Sequence, residues 1–129
     1  MSSEPQLYNQ KIVDAIETLF GAYNAPPQMK VTPNLYNKYG CWGQTTYLRE
    51  SKTPILIEID QDLFQNNKTE GLTTIVHEML EWRGIEKGEQ FPHQFAEQNQ
   101  NSILAVSNLT PMDYFLQRHP VLSLIIRGY

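Results

Sequence analysis

The stretch that organises this chain is Thr69-Glu-Gly-Leu-Thr-Thr-Ile-Val-His77-Glu78-Met-Leu-Glu81-Trp-Arg83. Its apolar residues recur at the spacing of one helical face, and they form a continuous stripe of Leu72, Ile75, Val76, Met79 and Leu80. We therefore predict an amphipathic helix over 69–83, with Gly84 as its C-cap. His77 and Glu81 fall one helical turn apart, on the side opposite the stripe.

Extended segments precede this helix. In Pro54-Ile-Leu-Ile-Glu-Ile-Asp60 the three isoleucines share one face of a predicted strand. Residues 41–48 are also rich in strand formers. The polar turn 50–53 between the two segments predicts an antiparallel hairpin. A further short strand is predicted over 29–32.

Helical segments are predicted at both ends of the chain. The first covers 4–23, another covers 92–107, and a last segment begins at Thr110 and is interrupted by Pro120. The order of helix, short strands and then helices predicts an α+β domain in which helices cover a small antiparallel sheet. Because no repeat or linker divides the sequence, residues 1–129 are interpreted as one domain.

The composition excludes several classes of protein. The 129 residues include 10 Lys+Arg against 14 Asp+Glu, a net charge of −4, so nucleic-acid binding through bulk positive charge is not expected. Cys41 is the single cysteine, which excludes a disulfide framework and a cysteine-rich zinc finger. The sequence contains no apolar run long enough for a membrane span, and it begins without the features of a signal peptide. We therefore predict a cytoplasmic protein without a membrane partner.

The residue types around the central helix predict a metal site. His77 and Glu81 can reach one ion from the same helix face, and His93 follows 16 residues after His77, beyond a loop that allows the chain to turn back. Two histidines and one carboxylate form a common donor set of catalytic zinc sites, with a water at the open position. Glu78, beside the first ligand, would then accept a proton from that water. Because nitrogen and oxygen donors discriminate poorly among divalent ions, metals other than zinc stay open.

These motifs resemble those of the SprT-like metalloproteases, which are zincins. Ile57-Glu-Ile-Asp-Gln-Asp-Leu63-Phe64 is similar to the strand that precedes the active helix in that family. Thr74-Ile-Val-His77-Glu78-Met79 is similar to the helix itself. The family commonly has His-Gly-x-x-Phe/Trp at its third ligand, whereas this chain has Pro92-His93-Gln94-Phe95, without the glycine and with the aromatic residue one place early.

The resemblance implies a zinc-dependent metallopeptidase that acts on a protein or peptide substrate. Carried over by position, His77 is the first metal ligand, Glu78 the catalytic base and His93 the third ligand. Glu81 occupies the place of the second histidine of the usual His-Glu-x-x-His motif, and this variant also resembles small zincin-like proteins of phages. A nucleic-acid-associated role would follow only from the analogy with SprT-like enzymes.

Other interpretations of the same residues stay open. His77 and Glu81 together are compatible with an exposed, solvated helix face. The chain is also compatible with a zincin-like fold whose motif has decayed, so that it acts as a binding or structural module in a viral or mobile-element setting. A third interpretation is an inhibitor or adaptor with an unrelated α+β fold, which predicts that His77 and His93 do not cluster. The sequence does not indicate an oligomeric state.

Overall fold

The centre of the sheet is the strand predicted from the alternating isoleucines. The computed structural model of the chain describes residues 10–22, 28–51 and 53–109. Within them Thr53–Asp60 (β3) lies between Gln28–Thr32 (β1) and Gly43–Leu48 (β2). The inward-facing Ile57 and Ile59 of β3 are fully buried, as expected for a central strand whose one face packs on helices.

The sheet is mixed, and this corrects the predicted antiparallel sheet. β2 and β3 form the predicted antiparallel hairpin, in which Thr45 is opposite Ile57. β1 instead runs parallel to β3, with Val31 opposite Ile59. β2 occupies one edge of β3, so β1 pairs with the other edge. The chain between β1 and β3 is long enough for the two strands to run in the same direction.

Two short helices were not predicted as separate elements. Leu35–Tyr39 (α2) is enclosed by two residues with left-handed backbone, Asn34 at φ 59° and Gly40 at φ 71°. Gln61–Asn66 (α3) follows β3 directly. Its N-cap is Asp60, whose Oδ1 accepts hydrogen bonds from the backbone N–H groups of Asp62 and Leu63. This N-cap starts α3 at the residue where β3 ends.

The long helices carry most of the core. Gln10–Phe20 (α1) lies within the predicted 4–23, whose other residues are partly outside the described ranges. Lys68–Glu86 (α4) is the central helix, and Pro92–Ser107 (α5) has the predicted bounds. The predicted segment from Thr110 to the C-terminus lies outside the described residues. Among those described, no helix has the length and apolar character needed to cross a membrane.

Gly84 does not end α4, which corrects the predicted C-cap. The helix continues to Glu86, and Gly84 lies where α5 crosses it. A Cβ atom at this position would be 3.3 Å from the Phe95 ring and 3.4 Å from Pro92. The glycine therefore allows the two helices to approach closely at the start of α5.

α4 is buried on more sides than an amphipathic surface helix. Its apolar residues Ile75, Val76, Met79 and Leu80 are fully buried, but His77 and Glu78 are also only 9% and 4% exposed. His77 and Glu81, whose side chain is 21% exposed, therefore do not lie on an exposed, solvated helix face. Buried ionisable side chains require partners, and those partners define the candidate site.

Candidate metal centre

The first two predicted donors are neighbours on α4. His77 and Glu81 are one turn apart, and His77 Nε2 lies 3.3 Å from Glu81 Oε2. The Glu81 side chain is 21% exposed, so it lies at the boundary between the core and the solvent. The helix therefore holds one imidazole and one carboxylate with their donor atoms directed at the same point.

The third predicted donor comes from the first turn of α5. His93 Nδ1 lies 3.2 Å from His77 Nε2 and 3.6 Å from Glu81 Oε2, and the two imidazole rings have centroids 4.8 Å apart. His77 and His93 therefore cluster, contrary to what the inhibitor or adaptor interpretation predicts. The turn after α4, which includes Gly88 at φ 79°, and the close approach at Gly84 bring α5 to this position.

The three donor atoms fit a tetrahedral ion. His77 Nε2, Glu81 Oε2 and His93 Nδ1 form one group that could hold a metal, here called the donor triad, with edges of 3.2, 3.3 and 3.6 Å. In a regular tetrahedron with edges of about 3.4 Å, the centre lies about 2.1 Å from each corner, which is within the range of Zn–N and Zn–O bond lengths. Three such donors occupy one face of a tetrahedron, and the fourth position faces away from them.

Each histidine of the donor triad uses its second ring nitrogen to contact α5. His77 Nδ1 is 2.7 Å from the side-chain oxygen of Gln100, and His93 Nε2 is 3.5 Å from Glu97 Oε1. Metal-bound histidines generally have such outer partners, which orient the ring. Our sequence reasoning missed both residues. Their spacing offered a signal, because Glu97 and Gln100 follow His93 by one and two helical turns.

Glu78 is buried between α4 and the edge strand β2. Its Oε1 accepts a hydrogen bond of 2.9 Å from the Thr45 hydroxyl. Gly43 also packs tightly against this side chain, because a Cβ there would be 3.0 Å from Glu78 Cγ and 3.2 Å from Oε2. Burial raises the pKa of Glu78 to about 7, and the charge of Glu81 adds to the increase, whereas the Thr45 hydrogen bond opposes it.

Opposing effects act on the pKa of His77. Burial lowers its pKa, but the hydrogen bonds with Glu81 and Gln100 and the charges of Glu78 and Glu81 dominate and raise the pKa to about 9. Without a cation the ring is therefore protonated at neutral pH. Since a metal binds the deprotonated nitrogen, loading of the donor triad releases this proton.

Comparison of the chain with protein-family models, with curated proteins and with solved structures found no match. The resemblance to SprT-like enzymes stays a prediction.

Proposed function

We propose that the protein is a zinc-dependent metallopeptidase. His77, Glu81 and His93 would hold the ion and Glu78 would act as general base. The observation that carries this proposal is the convergence of the donor triad from two helices at separations that match a tetrahedral zinc site. Glu78 follows the first donor directly in the chain, on the side of the helix that faces β2.

The chain's own residues supply the proton chemistry. When bound, zinc provides a Lewis acid that polarises a carbonyl group and acidifies water. A general base is most effective when its pKa is near the operating pH, and the pKa of Glu78 is raised to about 7. The Thr45 hydroxyl holds one oxygen of this carboxylate, which fixes its orientation.

An extended substrate could pair with an edge strand of the sheet. The strand before the active helix, β3, has neighbours on both sides and cannot pair with a substrate. Gly43–Leu48 (β2) is an edge strand and is the one that contacts Glu78. A peptide that pairs with β2 would lie beside the strand that contacts Glu78. This supports a peptide as the substrate class.

The proposal is tested by metal content and hydrolysis together. Purified protein is expected to bind about one equivalent of zinc and to cleave members of a peptide library, read by mass spectrometry. Glu78→Gln is expected to keep the zinc and to lose at least about 100-fold in rate. Glu89→Gln, a matched change at an exposed position, is expected to retain both properties. A wild-type protein without zinc at neutral pH contradicts the proposal.

The alternative is a metal-binding module without hydrolytic activity. Glu81 in place of a second histidine and the missing glycine after His93 favour this alternative. This alternative predicts that the wild-type protein binds zinc but cleaves no member of the library. It also predicts that Glu78→Gln binds zinc as tightly as the wild type does. The same experiment therefore separates the two functions.

A further inference from the structure

The two ring nitrogens of His77 face different kinds of partner. Nε2 is directed at the other members of the donor triad, Glu81 and His93. Nδ1 is directed at the amide oxygen of Gln100, at 2.7 Å. Gln100 is half-buried on α5, two turns beyond His93. One histidine of α4 is thus contacted by α5 on both sides of its ring.

An amide oxygen accepts hydrogen bonds and does not donate them. His77 Nδ1 must therefore carry a proton in this arrangement, and in the neutral ring the lone pair is then on Nε2. The other tautomer would place a lone pair of Nδ1 against the lone pairs of the Gln100 oxygen. It would also direct an N–H group at the position where an ion would lie.

We propose that Gln100 is a positioning residue of the metal centre: its side-chain oxygen holds His77 in the Nδ1-protonated tautomer, so that Nε2 is the atom that binds the metal. The proposal rests on the donor triad of the proposed function, and it does not depend on peptidase activity. It adds a second contribution of α5 to the site, because the helix that supplies His93 also orients His77.

Zinc affinity, measured by competition with a chromophoric chelator, tests this role. Gln100→Leu removes the acceptor and is expected to weaken zinc binding by about 10- to 100-fold, the usual effect of losing such a partner. Gln100→Glu keeps an acceptor and is expected to bind zinc at least as tightly as the wild type. Gln98→Leu, the same change at an exposed position of α5, is the control and is expected to have no effect. Wild-type affinity in Gln100→Leu overturns the proposal.

The tautomer itself is measured by ¹⁵N NMR of the imidazole rings in metal-free protein, compared between the wild type and Gln100→Leu under conditions in which the ring is neutral. The Glu81 carboxylate and His93 lie at Nε2 and compete for the ring proton. Because the Gln100 oxygen lies at Nδ1, the wild type is expected to have a larger share of the Nδ1-protonated tautomer than Gln100→Leu. An equal share in the two proteins overturns the proposal. This measurement needs no zinc, so it decides the role of Gln100 even if the wild-type protein binds no metal and the proposed function fails.

Discussion

At the scale of single residues, His77 and Glu78 are adjacent in the chain and both have a raised pKa. The His77 value rises from 6.5 to about 9, so its contribution to stability is present below pH 6.5 and is lost as the pH rises through 9. The Glu78 value rises from 4.5 to about 7, so its burial costs stability once the pH rises above 4.5, increasingly so up to 7. We therefore expect the thermal unfolding midpoint of the metal-free protein to fall steadily from pH 5 to pH 9.

The control for this pH dependence is a variant that cannot titrate at the two positions. His77→Gln combined with Glu78→Gln is expected to flatten the decrease in a chelator-containing buffer. In the zinc-bound protein His77 has already released its proton. Zinc is therefore expected to remove the part of the fall in the unfolding midpoint that comes from His77. A midpoint that rises between pH 5 and pH 9 in the metal-free wild type would contradict the expected pKa shifts.

The hydrogen bond from Thr45 makes Glu78 easier to ionise. The Thr45 hydroxyl lowers the carboxyl pKa against the larger effect of burial, so Thr45→Val is expected to raise that pKa further above 7. The acidic limb of the kcat/KM profile should then move to higher pH, and the lost hydrogen bond should cost about 1 kcal/mol of stability. Carbon-13 NMR titration of the Glu78 carboxyl group measures the same shift without substrate.

Thr46 provides the matched control for this change. It is the next residue of β2 and is exposed. Thr46→Val is expected to leave both the pH profile and the carboxyl titration where they are. An unchanged Glu78 titration in Thr45→Val would show that the hydrogen bond does not determine the pKa.

At the scale of elements, β2 and α4 meet at Gly43 with no room for a side chain. A Cβ atom there would be 2.8 Å from Thr74 Cγ2 and 3.0 Å from Glu78 Cγ. Gly43→Ala is therefore expected to cost about 1–3 kcal/mol through overpacking and to displace the Glu78 side chain. Chemical denaturation of Gly43→Ala, Thr74→Ser and the double variant measures the coupling. Since Thr74→Ser removes the closest methyl group, the double variant should recover part of the loss, and strictly additive effects would contradict this packing.

The elements that local pattern determines could be predicted from the sequence. The helix bounds 92–107 and the β2–β3 hairpin follow from periodicity and from a polar turn, and the structure confirms both. The parallel pairing of β1 with β3 could not be predicted in this way, because it depends on which edge of β3 the hairpin leaves open. The continuation of α4 past Gly84 depends on how closely α5 approaches, which is also a tertiary property.

Part of the candidate site could also be predicted from the sequence. The members of the donor triad could be found from residue type and spacing, and the structure brings them together. Thr45 was missed because a hydroxyl on a strand has no distinctive spacing. Gln100 was missed although it lies two helical turns beyond His93, because an amide becomes informative only when its partner is known. The burial of His77 and Glu78 was also missed, because periodicity indicates one apolar face and not what packs on the other faces.

At the scale of the whole molecule, the donor triad joins the two helices that make the largest interface of the described structure. α4 supplies His77 and Glu81, and α5 supplies His93 from its first turn. The His93 side chain is 70% exposed, so apolar packing does little to hold it in place. A bound ion would therefore act as a crosslink between α4 and the first turn of α5.

This arrangement predicts that zinc stabilises the entire fold. An ion that binds only the folded chain adds about 2.7 kcal/mol when its free concentration is a hundred times Kd, which raises the unfolding midpoint by roughly 10 °C in a chain of this size. Scanning calorimetry with and without chelator measures the increase. His93→Ala is expected to lose most of the increase while its metal-free midpoint stays near that of the wild type, because the exposed ring contributes little packing. A His93→Ala protein that retains the full zinc-dependent increase would show that the ion binds elsewhere.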